Sequence, residues 1–386
     1  MKVGITMNFI RDNILKIFLF IFILVIGMII FSLIFNNKGI GSGGKSYAQM
    51  EQAMIDATRK YTNKNTKLLP KKENEMFKVN LDTLQNSKYL KEFTALEDEN
   101  VKCMGYTEIL YKNKKNIFVP YLKCGKYYET KTIAQHIKDN EEIVTSNDGL
   151  YQIGNSYVFR GESPNNYLVL GNRLYRIIEI NGEELKLIST KKLNEYIVWD
   201  DRYNVEKGNT VGINDYSKSR LKEYFNGMIK SAVINTNSPV NKKNEEDTFI
   251  SSFELQKMVP HDICVGKRSV NNSGIDTLDE CQVTEKDQLI SLITVSEYAR
   301  ASIDPNCKSI YDNACVNYNY FSTLTQSYRT MTAVAENSYS VYTISNGVVS
   351  VVKASSLFNP NIVIYIDSTS LYKSGDGTYE NPYLIR

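Results

Sequence analysis

Residues 174–189 read LYRIIEINGEELKLIS and carry the strongest hairpin signal in the chain. The first part, 174–180, is partly alternating and partly continuously apolar, as strands are. Asn181-Gly182 is a residue pair favoured in two-residue hairpin turns, and 184–189 resumes the apolar alternation. The stretch therefore predicts two antiparallel strands joined by a tight turn.

Strand and helix signals continue on both sides of this hairpin. The order of the predicted elements is strands at 157–160 and 167–170, helices at 215–226 and 288–302, a hairpin at 341–352 and a last strand at 362–366. The segments 190–213, 236–285 and 303–335 are predicted as loops. Strands at both ends with helices between them indicate an α+β domain over 150–386.

A smaller α+β domain is predicted over 46–131. Ser46 and Gln49 form a capping-box pattern that starts a helix over 46–62. Short strands follow at 104–111 and 117–122, bracketed by Cys103 and Cys124, so a disulfide there would join the open ends of a hairpin. The polar segment 132–149 is predicted to be the linker between the two domains.

The chain begins with a long uncharged segment. Residues 17–35 read IFLFIFILVIGMIIFSLIF, and 19 helical residues at about 1.5 Å each match the thickness of a bilayer core. A cleavable signal peptide is the alternative, but its apolar region is shorter and ends in a small-residue cleavage site. We therefore predict a single transmembrane helix, a cytoplasmic tail at 1–16 and a Gly-rich linker at 36–45.

The cysteines predict the side of the membrane on which the rest of the chain lies. All six follow the apolar segment, as pairs separated by 21, 17 and 8 residues: Cys103, Cys124, Cys264, Cys281, Cys307 and Cys315. An even set of this kind favours disulfides in an oxidising compartment. Zinc is the alternative, but no Cys-x-x-Cys occurs. We expect a cell-membrane protein with an extracellular C-terminal bulk; six cysteines allow 15 pairings, which stay open.

The larger domain resembles a known family. The segments that carry the resemblance are YVFRGESPNNYLVLGNRLYRIIEINGEELKLIS at 157–189, NDYSKSRLKEYFNG at 214–227, LISLITVSEYARA at 289–301, YFSTLTQ at 320–326 and VIYIDSTSLYKSGDGTYENPYLI at 363–385. In this order they resemble bacterial surface proteins of unknown function with a C-type-lectin-like domain. Tyr175 and Tyr320 stand where that family usually has Trp. The resemblance implies a C-type-lectin-like fold over about residues 150–386.

The smaller domain resembles a second group. SYAQMEQAMIDATRKY at 46–61, together with the later Cys103 and Cys124, is similar to pilin-related membrane-anchored proteins. A prepilin leader carries Glu at the fifth position after its processing Gly, and the segment after Gly4 has none. The resemblance implies a structural role in a pilus-like or envelope assembly as the alternative to binding.

Sequence patterns of catalysis are scarce. No phosphate-binding Gly-rich loop, His-Glu-x-x-His or Gly-x-Ser-x-Gly motif occurs, and histidine appears only at His136 and His261. His261 with the adjacent Asp262 suggests a dyad, yet adjacent side chains seldom point at one reacting atom. Asp279 and Glu280 are interpreted as solvated. We therefore predict no enzyme and no catalytic residue.

Calcium is the only cofactor that the sequence suggests, in two places where turn formation is the competing interpretation. The candidate oxygen ligands are Asp376 and Glu380 with Thr378, and Asp200 and Asp201 with Asn204. A net charge of +3 over 386 residues indicates no nucleic-acid partner. The expected function is a non-catalytic binding or adhesion module for an extracellular glycan, peptide or cell-wall ligand, presented on the predicted loops.

Overall fold

The computed structural model describes residues 46–112, 115–236, 250–324 and 327–386. These residues divide into two compact units, one that ends at Glu129 and one that begins at Thr130. Each unit has its own sheet and its own buried apolar cluster. They are described separately below.

The first unit packs one long helix on a small antiparallel sheet. Its elements are α1 (Tyr47–Lys64), β1 (Met76–Asn80), α2 (Leu81–Asn86), β2 (Met104–Lys112), β3 (Lys115–Cys124) and β4 (Tyr128–Glu129). The strands pair in the order β1-β2-β3-β4. Helix α1 begins with the predicted capping box, in which Ser46 and Gln49 bond to each other's backbone. The predicted hairpin is confirmed as β2 and β3.

A disulfide supports the core of this small unit. Cys103 and Cys124 are bonded, and both are buried beside Met50 and Met54 of α1 and Leu122 of β3. Small units bury limited apolar surface, so a covalent cross-link adds stability where the core alone supplies little. The disulfide predicted to close this hairpin is confirmed.

The second unit is larger and is built mainly from strands. Its helices are α3 (Ile133–Asn140), α4 (Arg220–Thr236), α5 (Ser252–Lys257), α6 (Val295–Ala301) and α7 (Tyr320–Leu324). Its strands are β5 (Gly149–Ile153), β6 (Ser156–Arg160), β7 (Tyr167–Leu170), β8 (Arg173–Asn181), β9 (Glu184–Ser189), β10 (His261–Cys264), β11 (Lys267–Arg268), β12 (Thr284–Gln288), β13 (Ser327–Val334), β14 (Ser340–Ser345), β15 (Val348–Lys353), β16 (Val363–Ile366), β17 (Tyr372–Ser374) and β18 (Tyr383–Ile385).

An eight-stranded sheet forms the centre of this unit. Its main path is β16-β9-β8-β7-β18-β17, with β6 pairing β8 and β5 pairing β6. The predicted hairpin is confirmed as β8 and β9, in which Gly182 adopts a φ of 60° at the turn. The last predicted strand is β16, which pairs antiparallel with β9. The sequence-distant C-terminal part of the chain thereby supplies the strand at one end of this path.

Two smaller sheets contain strands from segments that the sequence predicts as loops, while the hairpin predicted at 341–352 is confirmed as β14 and β15. Strand β13 lies within predicted loop 303–335 and joins the sheet β11-β13-β14-β15. Strands β10 and β12 lie within or beside predicted loop 236–285 and pair with each other. Hydrogen bonds to strands far away in the sequence hold these strands in place. The alternation of polar and apolar residues within each of them is too weak to predict a strand.

The α+β fold class predicted from the sequence is wrong. Sheet accounts for 34% of the structure and helix for 23%, so the protein is dominated by strands. None of the helices in the described ranges has both the length and the apolar character needed to cross a bilayer. The predicted span at 17–35, with the tail at 1–16 and the linker at 36–45, lies outside the described residues.

The predicted linker at 132–149 also differs from the structure. It contains α3, whose Ile133, Ala134 and Ile137 are fully buried in the core of the second unit. Thr132 caps this helix by accepting a hydrogen bond from the backbone N–H of Gln135. The helix is amphipathic and has only one apolar face, so the segment as a whole has a polar and acidic composition that resembles a linker.

Candidate functional site

The predicted calcium ligand Asp376 organises a turn. Its carboxylate accepts hydrogen bonds from Asn381 Nδ2 at 3.0 Å, from Thr378 Oγ1 at 2.7 Å and from the Thr378 backbone N–H at 3.1 Å. These bonds, that from Asn381 first, hold the pKa of the Asp376 carboxyl below its usual value. Glu380 is exposed. The carboxylate of Asp376 is therefore engaged with its own turn.

The second calcium candidate is also a hydrogen-bonded turn. Asp200 is fully buried and accepts bonds from the backbone N–H groups of Arg202, Ile213 and Arg220. The Arg202 guanidinium neutralises it. Asn204 donates from Nδ2 to Gly212 O at 2.9 Å. Among the residues with a described placement, no group of three or more His, Cys, Asp or Glu side chains is arranged to hold a metal ion.

Glu280, interpreted from the sequence as solvated, is fully buried. Its carboxylate pairs with Arg268, with Oε2 3.0 Å from Nη2, and also accepts a bond from Ser296 Oγ. Arg268 donates further to the carbonyls of Asn272, Gly274 and Asp276. This fully satisfied network fixes the segment between Cys264 and Cys281 on α6 and β13. It is an internal support for the wall of the cavity described next.

A cavity of about 220 Å³ lies on one face of the central sheet, between β8, β9 and β16 on one side and α6 and β10 on the other. The strand register places polar side chains together here, because Lys186 of β9 is the direct partner of both Glu179 of β8 and Tyr365 of β16. Strand β10 contributes His261, and α6 contributes Glu297 and Arg300. The disulfide Cys264–Cys281 lines the same cavity.

Lys186 and Glu297 form a nearly buried ion pair in the cavity wall. Their side chains are 13% and 5% exposed. Burial alone would lower the pKa of Lys186, but the Glu297 carboxylate outweighs it and the pKa is raised. Burial would likewise raise the pKa of Glu297, but Lys186 and the Thr294 backbone N–H lower it. Both groups are therefore charged at neutral pH.

His261 is held by a carboxylate and an aromatic ring. Its Nδ1 lies 2.7 Å from Glu184 Oε1, and its ring stacks on Tyr365 with centroids 4.0 Å apart and planes 14° apart. The adjacent Asp262 instead accepts a hydrogen bond from the Asp287 backbone N–H. The partner of His261 is therefore Glu184 and not Asp262.

Three groups in the cavity wall lack partners among the residues whose placement is described. Arg300 and Glu179 form no ion pair or hydrogen bond with these residues, and Ser291 Oγ has no hydrogen-bond partner although Ser291 is only 1% exposed. One cation, one anion and one hydroxyl are thus available to a molecule in the cavity. Of the three residues only Ser291 is buried, since Glu179 and Arg300 are partly exposed. Because buried polar groups in proteins are nearly always hydrogen-bonded, the unpaired Ser291 Oγ in the cavity wall favours a ligand there.

The other histidine lies elsewhere. His136 belongs to α3 and stacks on Tyr372. Burial, followed by the nearby Lys131, lowers its pKa below the usual value. It is not among the residues that line the cavity.

Sequence analysis misses most of this site, although one signal was present. In 179–187 the charged residues alternate with isoleucine and leucine, which places Glu179, Glu184 and Lys186 on one sheet face and the apolar residues on the other. A polar face in a central strand of a large unit indicates either solvent or a site. Choosing between them requires the positions of β10 and α6, more than 70 residues along the chain.

Comparisons of the chain with family models, with curated proteins and with solved structures find no match.

Proposed function

We propose that this chain is a binding protein of the bacterial cell surface that works outside the cytoplasm and holds a small polar ligand in the cavity between the central sheet and α6. The single observation that carries the proposal is the presence of unpaired Arg300, Glu179 and Ser291 Oγ around one cavity. All six cysteines of the chain are paired in disulfides, which supports an oxidising compartment.

The size of the cavity limits the ligand. At about 30 Å³ for each water molecule, 220 Å³ corresponds to roughly seven waters. This is the size of one amino acid or one sugar ring, so the cavity takes the end of a longer molecule or a small one entire. The binding place is therefore this cavity, whereas sequence analysis located it on the loops.

The charges of the cavity define the ligand's chemistry. Arg300 suits a carboxylate, because a guanidinium presents several N–H donors in a planar fork. Glu179 suits an ammonium group, and Ser291 Oγ suits either a donor or an acceptor. A zwitterionic end, as in an amino acid or the terminal residue of a cell-wall peptide, meets all three.

The test is calorimetric titration of the full chain with a panel of amino acids, alanine dipeptides of both configurations and N-acetylglucosamine. Loss of a charge-assisted hydrogen bond costs about 1.5–3 kcal/mol, or roughly 10- to 100-fold in Kd. R300Q and E179Q should weaken binding of the zwitterions by this amount. R220Q is the matched control, because Arg220 is 51% exposed and pairs with Glu223 away from the cavity. A folded protein that binds none of the panel, or R300Q binding as the parent does, would refute the proposal.

Acid–base catalysis is a second candidate, favoured by one observation. His261 Nδ1 faces Glu184 at 2.7 Å, Nε2 makes no hydrogen bond with the described residues, and the free hydroxyl of Ser291 lines the same cavity. A carboxylate, an imidazole and a hydroxyl are the three groups that acyl-transfer triads use, and all three occur around this cavity. Turnover of p-nitrophenyl acetate or of a dipeptide, lost in both H261A and S291A, would favour this candidate. Unchanged ligand binding without turnover would exclude it for those substrates.

A further inference from the structure

Strand β15 is the last strand of the sheet β11-β13-β14-β15 and has an open outer edge. It pairs with β14 along its whole length, from Val348 to Lys353, without a register shift. Between Val348 and Val352 the opposite side of the strand makes no hydrogen bond with the residues whose placement the structure describes. An edge of this kind presents N–H and C=O groups with which another extended strand can pair.

The other outer strands of the two larger sheets in this unit are covered or short. Strand β16 is bridged at Val363 by Ser291, and β5 is bridged at Leu150 by Ile143. Strands β17 and β11 have only three and two residues. Proteins also protect sheet edges with proline, bulges or charges, but β15 has no proline and no bulge, and Lys353 at its end is its one charged residue. This unprotected edge favours a partner strand.

The turn before β15 determines which of its backbone groups face outward. The loop Asn346-Gly347 has φ angles of 50° and 80°, and Ser345 pairs with Val348 directly beside it. The pair that flanks a two-residue hairpin loop is hydrogen-bonded, and bonded pairs alternate with unbonded pairs along the ladder. Every second residue from Val348 therefore bonds to β14. The residues between them, Val349 and Val351, direct their N–H and C=O groups to the outer edge.

The sequence of the strand identifies the partner. Residues 348–352 read Val-Val-Ser-Val-Val, which is the same in both directions about Ser350. When two copies pair antiparallel about Ser350, every valine lies opposite a valine, and β-branched residues are favourable neighbours across strands. In this register Val349 of one copy is opposite Val351 of the other. The two outward-facing residues thus supply each other's backbone hydrogen bonds.

The charge and exposure of the strand agree with this pairing. The two Lys353 side chains lie at opposite ends of the paired strands, six residues or roughly 20 Å apart, which exceeds the screening length at physiological salt. Val348 and Val351 are 39% and 41% exposed. A second strand alongside them would remove part of this apolar surface from water, which favours association.

We propose that β15 is a self-association edge, at which two copies of this chain pair antiparallel about Ser350 and join their four-stranded sheets into one sheet of eight strands. The contact uses the same surface on both copies, as a two-fold dimer requires. No residue of β15 lines the cavity at His261, so the proposal does not depend on the function proposed above.

The first experiment is sedimentation equilibrium of the full chain at about 5–200 µM, because a single pair of strands is a small interface and small interfaces associate weakly. We expect a monomer–dimer equilibrium. V351K, which adds a charge at the edge, and V351P, which removes an outward N–H, should each raise the dimer Kd at least tenfold. V205K is the matched control, because Val205 is 87% exposed and lies outside β15. A monomeric parent, or V351K associating as strongly as V205K, would overturn the proposal.

A cysteine at the centre of the strand locates the contact. In a pair centred on Ser350, the two Ser350 Cα atoms belong to an unbonded pair about 4.5 Å apart, which is within the range of a disulfide. S350C should therefore form an intermolecular disulfide on mild oxidation, whereas V205C should not. If the parent dimerises but S350C and V205C cross-link to the same extent, the copies associate through another surface and β15 is not the edge that joins them.

Discussion

Lys186 and Glu297 come from β9 and α6, 111 residues apart, and form an ion pair with side chains only 13% and 5% exposed. The pair joins the central sheet to the helix that covers it, at the wall of the cavity. Lys186 also lies over the Tyr365 ring, with Nζ 5.5 Å from its centroid. Fixing α6 on the sheet in this way holds Arg300, three residues further along the helix, at the edge of the cavity.

Removing one partner of this pair should be costly. E297Q leaves the Lys186 ammonium nearly buried without a counter-charge, and we expect unfolding free energy to fall by about 3–5 kcal/mol. K186M/E297Q should recover part of this loss, because no buried charge is left. The measurement is urea unfolding of all three proteins. E223Q is the control, since it breaks the exposed pair of Arg220 and Glu223 and should cost less than about 1 kcal/mol. A similar cost for E297Q and E223Q would contradict the proposed role.

The same pair predicts an acid limit of stability. The pKa of Glu297 is lower in the folded protein than in the unfolded chain. The pair's contribution is therefore present above the unfolded pKa of about 4.5 and is lost as the pH falls through the folded value. We expect the parent to lose stability more steeply than E297Q below about pH 4.5. Urea midpoints measured across this range for the two proteins test the difference, and parallel curves would show that other carboxylates dominate.

The buried phenol of Tyr365 predicts that the folded protein loses stability at alkaline pH. Burial raises the pKa of its phenol to about 12, against the opposing effect of Lys186. A raised folded pKa gives a contribution that is complete below the unfolded pKa of about 10 and is lost as the pH rises to about 12. Y365F should flatten the loss of stability in this window. Y379F is the control, because Tyr379 is 64% exposed. If Y379F and Y365F change the alkaline curve equally, Tyr365 has no special part in it.

The local elements of this protein were accessible from its sequence, because their signals are contained in neighbouring residues. Asn181-Gly182 specified the β8–β9 turn, and Ser46 with Gln49 specified the start of α1. These features depend on turn chemistry and capping, which act over a few residues.

The fold class and the site depended on contacts that no local pattern encodes. Strand β13 has Arg329 and Thr330 in its middle and is held by β14, so its sequence alone does not distinguish it from a loop. The partner of His261 is Glu184, 77 positions earlier on another strand, and no pattern around His261 indicates it. Such pairings are set by sheet register, which follows from the packing of the whole unit.

The last prediction concerns the disulfide Cys264–Cys281, which both cross-links the fold and lines the cavity. It closes a segment of 17 residues and lines the cavity, and Cys264 lies on the strand of His261. In the chain-entropy model, C264S/C281S should reduce unfolding free energy by about 3 kcal/mol. Since β10 would also be less restrained, zwitterion binding should weaken together with stability.

The control is C307S/C315S, which opens a segment of only 8 residues outside the cavity wall. It should cost about 0.7 kcal/mol less and leave ligand affinity unchanged. Urea unfolding and calorimetric titration of both variants provide the comparison. If the two variants lose affinity equally, the Cys264–Cys281 bond has no particular role in positioning His261.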